Sequence, residues 1–352
     1  MANQGKIGWG LIGTGMIAGH FRAGIEDCQD ARLVAVCNQT EEKGKAFAEA
    51  SGGAKYYQNY EDLVQDSEVD VIGITTPSGL HADNVVAAAA AGKHSICEKP
   101  LDVSREKMSQ MIDACREADV KLGCVFQSRT KPDMIKVRNA IKNGELGKMV
   151  LADAFLKTYR SQAYYDSAGW RGTWALDGGG ALMNQGVHGV DLLLWLLDDE
   201  VESVFARAEH KFRNIEVEDT AVATIKFRSG TFGTMIGTTS CNPGEASRTE
   251  LHGKYGTITL SGTEITRWAV TEEEDGRAED KFPPRSVGAH GNVGAASAVA
   301  PGHDWLINDM TQAIIENREP YITGESARKA VDLIIAIYES ARTGKEIQMD
   351  SW

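Results

Sequence analysis

Long hydrophobic runs are missing from this sequence. Its apolar stretches, such as Val190–Leu197 and Leu333–Tyr338, are far shorter than the ~20 residues that a membrane-spanning helix requires. The first residues, 1–6, lead directly into a strand pattern and lack the apolar core of a signal peptide. We therefore expect a soluble cytoplasmic protein with no membrane partner.

Positive charge is also scarce. Lys and Arg number 37 whereas Asp and Glu number 50, so the formal net charge is −13. Nucleic-acid binding requires a clustered positive face, and an anionic membrane surface would repel this chain, so we expect neither partner. Hydrophobic residues make up 42% and charged residues 25%, which is typical of globular proteins. At about 150 residues per domain, the 352 residues predict two domains.

Cysteines are few, and none stands in a C-x-x-C pair. The six are Cys28, Cys37, Cys97, Cys115, Cys124 and Cys241. Several lie within apolar strand patterns, so we interpret them as buried free thiols of a reducing compartment rather than as disulfides or metal ligands.

Strand and helix patterns alternate through residue 127. The predicted strands are Ile7–Ile12, Arg32–Cys37, Val69–Thr75, Ser95–Cys97 and Lys121–Phe126, and the predicted helices are Met16–Glu26, Glu41–Ala50, Ala82–Ala91 and Arg105–Ala118. This order is typical of a parallel sheet covered by helices. We therefore predict an α/β protein whose residues 1–127 form a Rossmann domain with a doubly wound parallel sheet.

After residue 127 the hydrophobic pattern becomes that of an antiparallel sheet. A helix is predicted at Pro132–Asn143, strands at Val150–Tyr159, Val201–Phe212, Thr220–Arg228, Thr231–Ser240, Ser247–Gly253 and Thr257–Leu260, and two final helices at Trp305–Glu316 and Ser326–Thr343. We predict that residues 128–352 form an α+β domain with a large open, mostly antiparallel sheet. Residues 272–300 have no periodicity, and we expect a loop that is either inert or a lid over the site.

A glycine motif of the dinucleotide-binding type follows the first strand. Gly13 permits a tight turn, Gly15 lets the backbone approach a pyrophosphate, and the small Ala18 permits close packing of helix on sheet. The helix that begins at Met16 would direct its N-terminal N–H groups toward the phosphates. The motif predicts NAD(P) as the cofactor.

The end of the second strand bears on the choice between NAD and NADP. Asn38 stands where a carboxylate would bind the adenosine ribose, or an arginine a 2′-phosphate. The Asn38 amide can bind the ribose. Glu41 and Glu42 would repel a phosphate, although Lys43 could offset that repulsion. We favour NAD.

Two clusters carry groups that could transfer a proton. Glu98-Lys99-Pro100 ends a predicted strand at the ligand-binding rim, where Lys99 either contacts a substrate hydroxyl or simply faces water. Asn184, His188, Asp191 and Trp195 are spaced to share one helix face after the glycines 178–180. His188 is either a proton acceptor or a hydrogen-bonded core residue. The cluster has too few ligands for a metal site, so we expect no metal.

These motifs together resemble the Gfo/Idh/MocA family (glucose–fructose oxidoreductase / inositol dehydrogenase) over almost the whole chain. The similar segments are Gly13–Ala18, Thr76-Pro77 with His81, Glu98-Lys99-Pro100, Gly178–Asp191 and Ala336–Ala341. The resemblance implies a Rossmann domain followed by a domain whose open sheet builds a homodimer or homotetramer. It also implies that Lys99 is a catalytic lysine, that His188 is the proton acceptor and that the Lys99–Pro100 bond is cis.

One residue departs from the family pattern. Many members carry Asp four residues before the histidine, where this chain has Asn184. A carboxylate would raise the basicity of the histidine, whereas an amide can only orient it or bind a substrate hydroxyl. We therefore include Asn184 among the catalytic candidates and leave open whether Lys99 or His188 accepts the proton.

The remaining candidates follow from position at the rim. The candidate cofactor contacts are Gly13, Thr14, Gly15, Met16, Ile17, Asn38, Thr75, Thr76, Pro77, His81, Glu98, Lys99 and Gln127. The candidate substrate contacts are Lys99, Tyr159, Trp170, Arg171, Asn184 and His188, with Tyr164, Tyr165, Trp174 and His303 as weaker candidates. Arg129 follows the last Rossmann strand with Gln127, and both could contact the nicotinamide end of the cofactor. Arg171 could bind a carboxylate, a phosphate or hydroxyls.

Three functions fit these residues. The first is an NAD(P)-dependent oxidoreductase that moves hydride between nicotinamide and a secondary alcohol carbon of a sugar, sugar derivative or cyclitol. The second is redox-neutral glycoside cleavage or epimerisation with retained NAD. The third is an NAD-sensing regulator without catalysis, which Lys99 and His188 disfavour because a sensor needs no proton-transfer pair. We predict the first.

Overall fold

The computed structural model describes residues 5–272, 276, 278–281 and 302–351. The chain forms two compact units. The first unit comprises the described residues up to Gln127 and those from 302 to Arg328, and the second comprises the described residues of 128–281 and 329–351. The predicted division at residue 127 differs from this arrangement in one respect, because it assigned residues 302–328 to the second domain.

A six-stranded parallel sheet forms the centre of the first unit. Its strands are β1 Ile7–Ile12, β2 Ala31–Cys37, β3 Lys55–Tyr57, β4 Val71–Ile74, β5 His94–Cys97 and β6 Leu122–Cys124, in the spatial order β3-β2-β1-β4-β5-β6. Its first helices are α1 Ala18–Asp27, α2 Glu41–Ala50, α3 Tyr60–Val64, α4 His81–Ala90 and α5 Arg105–Glu117. The predicted doubly wound parallel sheet is confirmed. The order reverses between β1 and β4, which is where sheets of this type bind ligands.

A nine-stranded sheet forms the second unit. Its helices are α6 Pro132–Lys142, α7 Gln162–Asp166 and α8 Val187–Leu197. Its strands are β7 Met149–Lys157, β8 Val201–Glu209, β9 Thr220–Phe227, β10 Phe232–Thr238, β11 Arg248–Gly253, β12 Gly256–Ser261, β13 Glu264–Val270, β14 Glu279–Asp280 and β15 Ile347–Gln348. The spatial order is β14-β13-β12-β11-β7-β10-β9-β8-β15. The sheet is antiparallel except where β10 pairs with β7, so the prediction of a mostly antiparallel sheet is confirmed.

Two contacts explain why residues 302–328 join the first unit, and they involve the first of the two last helices and the segment between them. These helices are α9 His303–Ile315 and α10 Gly324–Thr343, and α9 packs on α1. A Cβ atom on Gly24 of α1 would lie 2.6 Å from Cδ1 of Ile307, so the two helices approach closely only because that position is glycine. The Cys124 N–H also donates to the Ile322 carbonyl at 3.1 Å, which adds the segment before α10 to the sheet edge.

Alternating burial shows which face of the second sheet is covered. In β9, Ala221, Ala223 and Ile225 are buried, whereas Val222 and Thr224 between them are exposed. This is the pattern of a sheet that packs on one face and is open on the other, as predicted.

Several local features differ from the predictions, among them α7, β13 and β15, which were not predicted. Strand β3 and helix α3 were not foreseen, because each is only three to five residues long. Residues 181–186 form a π-helix before α8, so the predicted continuous helix face is interrupted. Most of the predicted loop 272–300 lies outside the described residues, although Glu279 and Asp280 form β14 against β13. Among the described residues, no helix is both long enough and apolar enough to cross a membrane.

Candidate active site

The turn after β1 is built around Gly13. Gly13 has a φ of +94°, and a Cβ atom there would lie 2.9 Å from backbone and side-chain atoms of Thr75. Thr75 follows β4, and its hydroxyl donates to the Gly13 carbonyl at 3.0 Å. Only glycine fits this position. The predicted cofactor residues Gly13 and Thr75 are thus brought together at the point where the strand order reverses.

Residues 15–17, which follow in the turn, leave open surface where a dinucleotide could bind. A Cβ atom on Gly15 would meet nothing within 4 Å, so packing within the protein does not require glycine there. Gly15 and Met16 are exposed, Ile17 is half-buried, and α1 begins at Ala18. The open surface over Gly15 and the adjoining helix N-terminus are what a pyrophosphate needs. These residues therefore fit the diphosphate of NAD.

Asn38 is held by its neighbours. Its Nδ2 donates to Thr14 Oγ1 at 2.6 Å, and its Oδ1 accepts from the Thr40 N–H at 2.8 Å. Glu41 and Glu42, exposed in the first turn of α2, lie just beyond. A hydrogen bond from Lys45 holds the pKa of Glu41 below its ordinary value. Because Lys45 offsets the charge of Glu41, Glu42 carries most of the repulsion that a 2′-phosphate would meet here, and this is compatible with NAD.

His81 joins two loops at the strand ends. Its Nε2 lies 3.0 Å from the Thr76 carbonyl oxygen and its Nδ1 lies 2.9 Å from that of Pro100, and the ring is buried. Thr76 also donates from Oγ1 to Asn84 at 3.0 Å, and Pro77 is half-buried. His81 thus contacts backbone carbonyls after β4 and β5, so any contribution to cofactor binding is made by positioning these loops.

Lys99 follows β5 at the same sheet edge as the glycine turn. Its side chain is half-buried, and the Lys99–Pro100 bond is cis, as the family resemblance implied. The preceding carboxylate of Glu98 accepts from the Lys99 N–H at 3.2 Å and lies 2.7 Å from His303 Nε2. The His303 ring stacks on His20 with centroids 5.3 Å apart. His303, a weaker candidate from the sequence, is thus connected through Glu98 to Lys99.

The remaining first-unit candidate is Gln127. It begins a 3₁₀ turn, Gln127–Thr130, directly after the last strand of the parallel sheet and is half-buried. This places Gln127 at the same edge of the sheet as Lys99, because both follow the carboxyl ends of neighbouring parallel strands, β6 and β5.

In the second unit, the glycine run is explained by a buried acid that the sequence analysis missed. Glu218 accepts from the Gly180 and Leu182 N–H groups at 3.0 and 2.8 Å and from the Tyr338 hydroxyl at 2.8 Å. Burial raises the pKa of Glu218 to about 7. A Cβ atom on Gly179 would lie 2.2 Å from the Tyr338 hydroxyl oxygen. No pattern in the sequence pairs Glu218 with the glycines, because they lie on separate segments.

Asn184 lies in the π-helix, and its amide is engaged on both sides. Its Nδ2 donates to Asp177 Oδ1, and its Oδ1 accepts from Gln185 Nε2 at 2.7 Å. Asp177 is buried and also accepts from the Gly172 N–H at 2.8 Å. Asp177 is a second residue that the sequence analysis missed, and its position just before the glycine run was the available signal.

The predicted helix face around His188 is divided in the structure. His188 is half-buried in the first turn of α8. Asp191 is buried and paired with Arg129, whose Nε donates to it at 2.8 Å. Trp195 lies under the Arg138 guanidinium at 4.6 Å. The partners of Asp191 and Trp195 are therefore arginines of the same unit. These contacts stabilise the unit and do not include His188.

The aromatic candidates are grouped with arginines. The Arg171 guanidinium lies 4.3 Å from the Tyr164 ring centre and 4.6 Å from that of Trp170, and its Nη1 donates to the Tyr164 hydroxyl at 2.5 Å. Tyr159 lies under Arg213 at 5.2 Å. Two further aromatic candidates are placed elsewhere: Tyr165 is buried with its hydroxyl 2.8 Å from Thr239 Oγ1, and Trp174 is exposed and packs edge-on against Tyr338. Burial raises the pKa of Tyr165 to about 12.

One group of side chains in the described residues has the spacing of metal ligands. The ligand atoms of Asp153, Glu250 and His252 lie within 4.8 Å of one another, on β7 and β11. Asp153 accepts from the Thr234 N–H at 3.0 Å, and Glu250 pairs with Arg248 at 3.0 Å. Asp153 and Glu250 thus each also have a partner within the protein.

Two family models match the chain. Residues 7–126 match the oxidoreductase family with an NAD-binding Rossmann fold, and residues 134–259 match the GFO/IDH/MocA C-terminal domain. The matched ranges correspond to the parallel sheet and to most of the open sheet. They end before α9 and α10.

Individual proteins are similar over most of the chain. The 1,5-anhydro-D-fructose reductase of Ensifer adhaerens is 28% identical over 97% of this chain and 98% of that protein. The myo-inositol 2-dehydrogenase of Thermotoga maritima is 28% identical over 76% of this chain and 79% of that protein. The WlbA dehydrogenase of Bordetella pertussis, solved with NADH and UDP-GlcNAcA, is 32% identical over 97% of this chain and 98% of that chain, with a TM-score of 0.83.

Proposed function

Because the chain belongs to the Gfo/Idh/MocA family of NAD-binding oxidoreductases that act on sugars or cyclitols, we propose that it oxidises a secondary alcohol carbon of such a substrate. The observation that carries the proposal is the position of Lys99, which follows β5 at the same carboxyl edge of the parallel sheet as the turn at Gly13 and Gly15. Relatives that act on cyclitols and anhydro-sugars, whose ring carbons bear hydroxyl groups, support it.

The first unit binds the cofactor in this proposal. Gly15 and the N-terminus of α1 hold the diphosphate, and Asn38 with Thr14 holds the adenosine ribose. When bound, the nicotinamide supplies the acceptor for the hydride that leaves the alcohol carbon. The remaining task of the protein is to remove the hydroxyl proton and to stabilise the developing negative charge on oxygen.

Lys99 contacts the substrate hydroxyl. Its backbone is fixed by the Glu98 carboxylate, which in turn is held by His303. Because Lys99 is half-buried, the attraction of its ammonium group for a developing alkoxide should be screened less than it would be in water.

His188 accepts the proton, and Asn184 orients the neighbouring groups. The hydrogen bond of the Asn184 amide to Asp177 fixes a carboxylate near the position where other members of the family carry Asp. We propose that Asp177 together with Asn184 takes the place of that Asp as an orienting pair in the second unit.

The test is the absorbance of reduced nicotinamide during incubation with sugars, sugar acids, glycosides and cyclitols, with NAD and NADP in separate reactions. We expect NAD to be reduced by at least one substrate. Lys99→Ala and His188→Asn should each lower kcat by about 10²–10⁴-fold, the range that general acid–base groups supply. Lys148→Ala, at an exposed position, is the matched control and should leave kcat unchanged.

The two alternatives have no observation in their favour. Redox-neutral cleavage would consume glycosides without net reduction of NAD, and a regulator would bind NAD without consuming any substrate. Either result in the same assay, with folded protein and bound NAD, would contradict the proposed dehydrogenase.

The assembly and the compartment are also proposals. We propose a homodimer or homotetramer built on the open face of the nine-stranded sheet, in a reducing cytoplasm. The six cysteines are free thiols and five of them are buried, which is compatible with a reducing compartment.

A further inference from the structure

We propose that the second unit binds an anionic group of the substrate, a carboxylate or a phosphate, at Arg160, Arg171 and Arg213. The inference rests on the proposed function, because it specifies the class of sugar derivative that the site accepts. It is carried by the contacts of these three guanidinium groups.

Arg171 is held in place but lacks a counter-charge. Its contacts among the described residues are the Tyr164 hydroxyl and the rings of Tyr164 and Trp170. Its Nε is buried and has no acceptor in the protein. Burying a charged guanidinium without a partner costs free energy. A bound carboxylate or phosphate would offset this cost, because either anion can accept two hydrogen bonds from an arginine.

Arg213 likewise contacts an aromatic ring and lacks a carboxylate partner among the described residues. Its guanidinium lies 5.2 Å from the Tyr159 ring centre, and its buried Nε has no acceptor in the protein. The loop that carries it is fixed by Asp219, a buried carboxylate that accepts from the N–H groups of Lys211, Phe212 and Arg213 at 3.0, 2.8 and 2.9 Å. The position of Arg213 is therefore set by its backbone, and no acceptor among the described residues pairs with its buried Nε.

Arg160 connects this group to the candidate catalytic residues. Its Nε donates to Gln185 Oε1 at 3.0 Å, and its guanidinium lies 5.0 Å from the Tyr164 ring centre. Gln185 donates through Nε2 to both the Tyr164 hydroxyl and Asn184 Oδ1, at 2.9 and 2.7 Å. A continuous network therefore runs from Arg160 and Arg171 through Tyr164 and Gln185 to Asn184. Arg213 adjoins it through Tyr159, whose ring it faces and whose carbonyl oxygen accepts from Arg160 Nη1 at 3.3 Å. An anion bound at these arginines would therefore lie next to Asn184 in the second unit.

Several other arginines of the described residues are paired with carboxylates. Arg129 pairs with Asp191, Arg32 with Glu68 and Arg138 with Asp198. In a chain with 50 acidic and 37 basic residues, a carboxylate partner is easily found for an arginine that needs one. Arg171 and Arg213 contact no carboxylate among the described residues, which favours an anion from outside the protein over a structural ion pair.

The experiment measures ligand binding to the NAD-loaded protein by calorimetry. The ligands are D-glucuronate, D-glucose 1-phosphate, UDP-glucose and D-glucose. We expect the wild type to bind at least one anionic ligand about 10-fold or more tightly than D-glucose, since hydrogen bonds to charged groups contribute that much. A preference for glucuronate identifies a carboxylate, and a preference for the phosphorylated ligands identifies a phosphate.

Variants distinguish the arginines from general electrostatics. Arg171→Gln and Arg213→Gln should each weaken binding of the preferred anion by about 10-fold or more while changing D-glucose binding by less than about 3-fold. Arg267→Gln, an exposed arginine of the same unit paired with Asp280, is the matched control and should change neither. If a glutamine variant does not fold, Arg171→Lys and Arg213→Lys keep the charge and should weaken binding because the two-pronged contact is lost.

The binding experiment tests the anion site, and the reduction of NAD tests the proposed dehydrogenase, so either proposal can fail without the other. Equal binding of anionic and neutral sugars, or anion binding that both glutamine variants retain, would overturn the inference even if a neutral sugar reduces NAD. Anion binding that is lost in both variants would support it even if no ligand reduces NAD, in which case the proposed dehydrogenase function is the part that fails.

Discussion

The two glycines of the turn after β1 lie in different surroundings, although the sequence motif requires glycine at both positions. Gly13 is enclosed by Thr75 and has a positive φ, so the fold itself requires glycine. Gly15 faces open surface, so no contact among the described residues requires glycine there, and we propose that the cofactor does. The difference can be tested one residue at a time.

Gly13→Ala should destabilise the protein, and Gly15→Ala should not. We expect Gly13→Ala to lower the free energy of unfolding by about 1–3 kcal/mol, because alanine is strained at this φ and its Cβ would meet Thr75. Gly15→Ala should leave the unfolding curve unchanged and weaken NAD binding by about 10-fold or more, since its Cβ would occupy the pyrophosphate position. Denaturant unfolding and NAD titration measure the two effects. Unchanged NAD affinity in Gly15→Ala would contradict the proposed diphosphate site.

Glu218 should make stability depend on pH in an unusual direction. In the folded protein burial raises its pKa to about 7 from an ordinary value of 4.5. Between these values the folded state keeps a proton that the unfolded state has lost, so the contribution of Glu218 to stability falls as pH rises through this window. Below it both states are protonated and the contribution is at its maximum.

The comparison with Glu218→Gln isolates this effect. From about pH 5 to about pH 8, the free energy of unfolding of the wild type should fall relative to that of Glu218→Gln by up to roughly 3 kcal/mol. Urea unfolding of both proteins at the two pH values measures it. A difference that is constant with pH would show that Glu218 is ionised throughout.

At the scale of elements, a buried ion pair joins the 3₁₀ turn Gln127–Thr130 to α8. Arg129 and Asp191 are both almost fully buried, and Asp191 receives two hydrogen bonds from the guanidinium. The pair holds the beginning of the second unit against the helix that carries His188.

Removing one partner should cost far more than removing both. Asp191→Ala leaves a buried positive charge and should lower the free energy of unfolding by about 3–5 kcal/mol. The double variant Arg129→Met, Asp191→Leu should recover most of that loss because no unpaired charge remains. Glu339→Ala breaks the exposed pair with Arg342 and serves as the control, with little change expected. Denaturant unfolding measures all three. A double variant as unstable as Asp191→Ala would contradict the argument.

The π-helix at Ala181–Gly186 is an element that the spacing of residues in the sequence does not predict. The spacing of Asn184, His188, Asp191 and Trp195 predicts one helix face only if the helix is regular throughout. The wider turn changes the direction of Asn184 relative to His188, and it is held by Glu218 and Tyr338 from other segments. No local sequence signal carries that information.

At the scale of the whole molecule, the open face of the nine-stranded sheet carries exposed apolar side chains. Phe205 on β8, Val222 on β9 and Phe232 on β10 are 38%, 46% and 60% exposed. Large apolar side chains exposed on one face of a sheet are typical of a protein–protein interface. We propose that a second copy of the chain covers it.

Sedimentation of the purified protein tests this assembly. The wild type should sediment as a dimer or tetramer, and Val222→Lys with Phe205→Lys should shift it toward the monomer because charge is placed in an apolar interface. Glu49→Lys, a charge change at an exposed position of α2 in the first unit, is the control and should not alter the assembly. A wild type that sediments as a monomer would contradict the proposal.

The sequence by itself determined the fold class, the parallel and antiparallel sheets, the nucleotide turn and the positions of Lys99 and His188 in the chain. Hydrophobic periodicity and glycine motifs are local properties, so they can be interpreted without knowing which segments meet. Only the tertiary structure assigned residues 302–328 to the first unit, joined His303 to Glu98, enclosed Glu218 beneath the glycine run and grouped Arg171 with Tyr164 and Gln185. Those contacts form between segments distant in sequence, where burial and close packing decide which side chains meet.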